Sequence, residues 1–167
     1  MQYYQEKILP IQHKSHKILL YKVFNAHKTK NIRHNKVPTG INIIYTNADG
    51  LLNERQELKL YINSLEKKPH IIAINEVKPK HLTHNLLTSE FNLEGYHIFS
   101  HGLENDSKRG LLIYTDITMD ASLVDIPSAF CDSIFLSVKI ADQGSRTLIG
   151  NIYRSPNSTQ VNDKNLY

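Results

Sequence analysis

Two short β-branched runs, "INIIYT" at residues 41–46 and "HIIAIN" at 70–75, flank a segment of helical periodicity, and that triplet restricts the fold more than any other part of the chain. The first run lies between "PTG" and "NADG", turn compositions on both sides, as expected of a strand. In the segment that follows, Leu58, Tyr61, Ile62 and Leu65 recur at i, i+3, i+4 and i+7, so one helical face is apolar and Glu54, Glu57 and Lys59 lie off it. Asn53 has the chemistry of an N-cap, with Gln56 placed to return to it. "KKP" at 67–69 ends the helix, because Pro69 cannot continue it. "HIIAIN" is apolar on both faces, as a strand covered on both sides must be. Strand, helix, strand is a βαβ unit, and such crossovers are right-handed in about 98% of cases. As parallel neighbours roughly 4.8 Å apart, the two strands would deliver Asn47 and Glu76, each just past a C-terminal end, to one edge of the sheet.

The remainder reads as further strands. "GYHIFS" (95–100) and "RGLLIYT" (109–115) are joined by a polar loop, and "MDASLVDI" follows. "SIFLSVKI" (133–140) alternates apolar and polar positions, and "RTLIGNIYR" (146–154) closes the series. A second short helix is expected near "HLTHNLL", and "TQVNDKNLY" at 159–167 reads as a polar loop. No internal repeat is present. The expected class is α/β, a layered sandwich whose later strands are antiparallel.

Charge is distributed unevenly. Residues 1–40 carry eight Lys or Arg against the single acid Glu6, whereas twelve basic residues face fifteen acidic ones from 41 onward. The leader is therefore read as a basic, poorly ordered extension and residues 41–167 as the folded part. A nucleic-acid-binding arm or a targeting peptide are the other readings of the leader, and targeting is disfavoured by its single arginine and single serine. Cys131 is the sole cysteine, which excludes an internal disulfide and a multi-thiolate zinc site. With no disulfide possible, a reducing compartment, nucleus or cytoplasm, is the default setting, and since no stretch approaches the about 18 consecutive apolar residues of a membrane span, no membrane partner is expected.

Taken singly, the polar candidates have plain explanations. Asn47, Asp49 and Gly50 make an ordinary turn composition. Glu76 suits a solvated strand end, His81 and His84 lack a third ligand at metal spacing, and Arg154 suits a polar loop. Their order changes the reading. "YTNADGL", "HIIAINEV", "GYHIFS", "KRGLLIYT" and "LIGNIYRSPNS" together resemble the first half of the endonuclease/exonuclease/phosphatase superfamily, over about residues 41–158. The resemblance is nearest to the apurinic/apyrimidinic endonuclease-like domains that precede the reverse transcriptase of non-LTR retrotransposons.

That resemblance implies a partial four-layer α/β sandwich of the deoxyribonuclease I-like type. It implies a Mg²⁺ or Mn²⁺ ligand at Glu76, a phosphate-orienting amide at Asn47, a hydroxyl near the scissile phosphate at Tyr153 and a backbone-phosphate contact at Arg154. Arg109 and Gly110 would open a core strand, the glycine answering a packing need. DNA is the implied substrate, and a downstream reverse transcriptase the implied partner in a full-length element. The chemistry agrees, since a divalent ion held by one or two carboxylates can relieve charge developing on a phosphodiester. The sequence departs from the family in one respect: the Gly-Asp-Phe-Asn and Ser-Asp-His elements, which supply the water-handling groups and the His–Asp pair, have no counterpart in residues 159–167. A C-terminally truncated domain without nuclease activity of its own, with one sheet's inner face and an edge strand exposed, is the expectation. The alternatives are a non-catalytic nucleic-acid-binding module working through the basic leader, and a phosphatase of the same fold.

Overall fold

The computed structural model describes residues 21–23, 41–82, 84–104, 108–126, 132–139 and 146–164; Cys131 and nearly all of the leader lie outside them. Strands β1 (Tyr21–Val23), β2 (Ile43–Asn47), β3 (Ile71–Asn75), β4 (Tyr96–His101) and β5 (Leu111–Asp116) form one sheet in the order β1-β2-β3-β5-β4. Strands β6 (Asp120–Leu123), β7 (Ser133–Lys139) and β8 (Arg146–Ile152) form a second. The expected crossover is present: β2 and β3 pair in parallel, with Asn47 opposite Asn75, and helix α1 (Leu51–Ser64) connects them. The other pairings are antiparallel.

All five residues of β3 are buried because the strand is covered twice. Ile72 and Ile74 face α1, in a core with Leu51, Leu58, Ile62, Leu112 and Tyr114. Ile71 faces the second sheet, in a core with Ile113, Ile134, Leu136 and Val138. The described residues thus make three layers, helix on sheet on sheet, an α/β architecture with few helices. On the far face of the second sheet Leu148 and Ile152 remain 56% and 42% exposed, and β8 has no further strand beside it among the described residues. An edge strand is thus left open as expected, but the expected exposure of a sheet's inner face is corrected: Ile134, Leu136 and Val138 are buried against the first sheet, and the apolar surface left in solvent is on the outer face.

Three expectations about local structure are corrected. Helix α1 begins at Leu51, with Gly50 at its N-cap position, so Asn53 lies within the first turn and caps nothing. The backbone decides this: Ala48 N–H donates to the Asn75 carbonyl (3.0 Å) and Gly50 N–H to the Glu76 carbonyl (2.8 Å), tying the loop to the end of β3. That tether outweighs the roughly 1 kcal/mol an asparagine cap can offer. The described residues of "HLTHNLL" form no helix. Leu82 N–H bonds to Pro79 and Leu86 N–H to Leu103, and a 3-10 turn follows at Thr88–Phe91. Conversely, the tail read as a loop contains helix α2 (Gln160–Lys164), whose first turn is held by Asn162 N–H donating to Thr159 Oγ1 at 3.2 Å.

Candidate active site

The rim at the C-terminal ends of β2 and β3 gathers side chains from four parts of the chain. Residues 45, 47, 73 and 75 point between the two sheets, by the alternation of parallel neighbours. Continued alternation would turn Glu76 toward α1. Instead Glu76 adopts a left-handed backbone, φ 54°, which few non-glycine residues do, and the chain swings its carboxylate to the inter-sheet side. There Glu76 Oε1 accepts from Asn47 Nδ2 at 2.9 Å and from the Tyr153 hydroxyl at 2.6 Å. Asn47 Oδ1 accepts from Asp49 N–H at 3.3 Å, which orders the loop between them.

Tyr153 reaches the rim because Asn151 anchors the strand that precedes it. The Asn151 amide is buried and donates to the carbonyls of Ile74 (3.2 Å) and Leu112 (3.3 Å), pinning β8 across β3 and β5. Tyr153, two residues on, projects from the same face. Its N–H donates to the Asp132 carbonyl at 2.9 Å. Burial, followed by the hydrogen bond to Glu76 and the charge of that carboxylate, pushes the Tyr153 phenol up to about 12. It is a proton donor throughout the neutral range.

The second oxygen of Glu76 belongs to Arg109. Backbone bonds from Lys78 N–H to the Arg109 carbonyl (2.7 Å) and from Val77 N–H to the Gly110 carbonyl (3.3 Å) continue the β3–β5 pairing past the strand ends and bring the guanidinium beside the rim. Each of its three nitrogens has a partner. Nε donates to the Lys78 carbonyl at 2.7 Å, one terminal nitrogen lies 3.1 Å from Glu76 Oε2, and the other 2.7 Å from Asp49 Oδ1. Arg109 is 19% exposed and Asp49 63%, so the arrangement runs from a sheltered carboxylate outward to a solvated one. The Arg109 hydrogen bond holds the Asp49 carboxyl below the usual range.

No family model, curated protein or solved structure matches the chain.

Of the residues singled out from the sequence, Asn47, Glu76, Tyr153 and Arg109 thus meet at one place. Gly110 is adjacent and answers a packing need: its φ is +75°, and a Cβ there would lie 2.6 Å from Leu103 Cδ2. Arg154 is engaged elsewhere, forked onto Asp163 of α2 at 2.9 and 2.7 Å. His81 and His84 are exposed, and no group of three or more His, Cys, Asp or Glu suited to a metal occurs among the described residues. Two participants went unrecognised in the sequence. Asp49 looked like turn composition, and Asn151 lay unremarked inside the "LIGNIYR" run. Only the pairing of Asn47 with an acid two residues later hinted at Asp49.

Proposed function

We propose that this chain carries the phosphate-orienting part of a divalent-metal-dependent phosphodiesterase site acting on nucleic acid, of the type found in non-LTR retrotransposon endonucleases and built on a deoxyribonuclease I-like sandwich. The observation that carries the reading is the convergence of Asn47 and Tyr153 on one oxygen of Glu76 from segments 29 and 77 residues away. The donor set suits a hard cation in kind, because Glu76 and Asp49 offer carboxylate oxygens and Mg²⁺ is typically held by one or two of these. A Mg²⁺ or Mn²⁺ bound there would supply Lewis-acid relief of charge on a phosphodiester. The protein's own part is positional. Asn47 and Tyr153 occupy Oε1 and hold the carboxylate in place, with Oε2 turned toward Arg109.

The side chains that hydrogen-bond to Glu76 here, Asn47, Tyr153 and Arg109, are donors, and none of them can take a proton from water at neutral pH. Among the described residues the Glu76 constellation is thus an anchoring one, and a unit of this kind that lacks its proton-accepting member loses orders of magnitude in rate. Fluorescence anisotropy with a labelled DNA duplex, with and without Mg²⁺ and over a salt series, tests the reading. Binding that needs Mg²⁺ and disappears in Glu76→Ala is expected, and plasmid nicking is not. Binding indifferent to both, but abolished when the lysines of residues 1–40 are changed to Gln, with a steep salt slope, would replace it by a basic binding module. Substitution serves better than deletion here, since Tyr21–Val23 pairs with β2.

A further inference from the structure

Arg109 stands in the way of the cation that the proposed function needs. A single guanidinium contacts one oxygen of each carboxylate at the rim, Glu76 Oε2 at 3.1 Å and Asp49 Oδ1 at 2.7 Å. The third arm of the fork, Nε on the Lys78 carbonyl, anchors the group, and the adjoining backbone bond from Lys78 N–H fixes its base. This is a built contact in which each of the three guanidinium nitrogens has a partner, unlike a mobile surface pair.

Charge reinforces the point. Two carboxylates and one guanidinium leave a net charge of minus one, which is too little to hold a divalent ion beside a fixed positive group in a partly sheltered site. Without the guanidinium, two carboxylates neutralise a divalent ion. Oε1 offers no alternative, since it already accepts from Asn47 and Tyr153. We infer that Arg109 is a resident counter-cation of the Glu76–Asp49 pair, and that divalent metal and the Arg109 fork compete for the same two oxygens. Resting on the metal-dependent reading above, this makes the metal-free state one in which the guanidinium bridges both carboxylates and offsets half of their charge. Metal uptake then requires the guanidinium to let go, which frees it to meet an incoming phosphate.

The experiment is Mn²⁺ binding to the full chain, read from the electron paramagnetic resonance signal of free Mn²⁺, for wild type, Arg109→Gln, Arg109→Lys and Glu76→Gln. Removing one unit charge a few ångströms from the ion is expected to tighten binding on the order of tenfold or more in Arg109→Gln. Arg109→Lys, which keeps the charge, should stay near wild type, and Glu76→Gln should lose binding. If wild type binds Mn²⁺ through Glu76 but folded Arg109→Gln binds no tighter, the competition is refuted and the metal-dependent reading survives. If none of the four binds Mn²⁺, both fall. Should Arg109→Gln fail to fold, ¹⁵N spectra of wild type decide: hindered rotation of the Arg109 guanidinium should be lost at saturating Mg²⁺, and rotation that stays hindered while Mg²⁺ binds overturns the inference.

Discussion

Replacing Glu76 by Gln, alone and combined with Tyr153→Phe, measures how far the rim is held together by one carboxylate. Oε1 accepts a 2.6 Å bond from Tyr153 and a 2.9 Å bond from Asn47, while Oε2 faces Arg109 at 3.1 Å. Hydrogen bonds to an ionised group contribute about 1.5–3 kcal/mol net, and breaking a buried ion pair costs about 3–5 kcal/mol. Arg109 keeps Asp49 and the Lys78 carbonyl in the variant, which places the cost of Glu76→Gln near the lower end, about 3 kcal/mol. Tyr153→Phe should cost about 2 kcal/mol in the parent, where it removes a charge-assisted bond. In the Gln background the bond is between neutral groups and should be worth only about 0.5–1.5 kcal/mol. The double-mutant cycle should therefore give a coupling of about 1 kcal/mol. Urea unfolding followed by far-ultraviolet circular dichroism measures it, provided the four m-values agree. Additivity within about 0.3 kcal/mol would mean that hydroxyl and carboxylate do not meet in solution, and the account of the rim would fail with it.

Two further outcomes follow from the same geometry. Gly110→Ala puts a Cβ into a left-handed position and 2.6 Å from buried Leu103, so a loss of about 2–4 kcal/mol is expected; a melt within 0.5 kcal/mol of wild type, taking ~0.5 kcal/mol as the noise of neutral substitutions, would mean that the Arg109–Gly110 turn is not formed as described. At alkaline pH the folded chain keeps the Tyr153 proton to about 12, whereas the unfolded chain releases it at 10.0. The native state then binds more protons across that window, so this stabilisation is complete below pH 10.0, falls as pH rises and is gone above about 12. Buried Tyr96 and Tyr114 contribute in the same direction, and the difference between wild type and Tyr153→Phe isolates the rim. A pH profile unchanged by that substitution would contradict the hydrogen bond.

The parallel pair, its crossover helix and the antiparallel strands were legible because each is written locally, in periodicity or in a run of β-branched residues. Leu58 and Ile62 are buried and Tyr61 and Leu65 half-buried, as their spacing requires. What misled was cap chemistry. Asn53 has the right side chain, but two backbone bonds to the end of β3 set the helix start at Leu51. Helix α2 was obscured by its polarity, since none of its residues is buried and no apolar stripe marks it. Thr159, a good cap three residues before Asn162, was the signal present.

The site divides in the same way, and the division explains its chemistry. Asn47 and Glu76 were predictable as neighbours because strand geometry alone delivers two strand ends to one edge. The direction of the Glu76 carboxylate was not, because alternation points it toward α1 and only a left-handed residue brings it back. Such a conformation in a non-glycine residue costs of order 1 kcal/mol, and it persists because Asn47, Tyr153 and Arg109 all reward the turned carboxylate. The charge balance was still less legible, since Arg109 lies 60 residues from Asp49 and no spacing rule connects them. A carboxylate held in a strained backbone by two neutral donors and one cation is poised, because the neutral donors fix its plane whatever the cation is. Exchanging the guanidinium for another positive group then changes the charge of the rim without rebuilding it. That separation of positioning from neutralisation is why Arg109, rather than Asn47 or Tyr153, is the residue whose replacement should change metal affinity while leaving the Glu76 geometry in place.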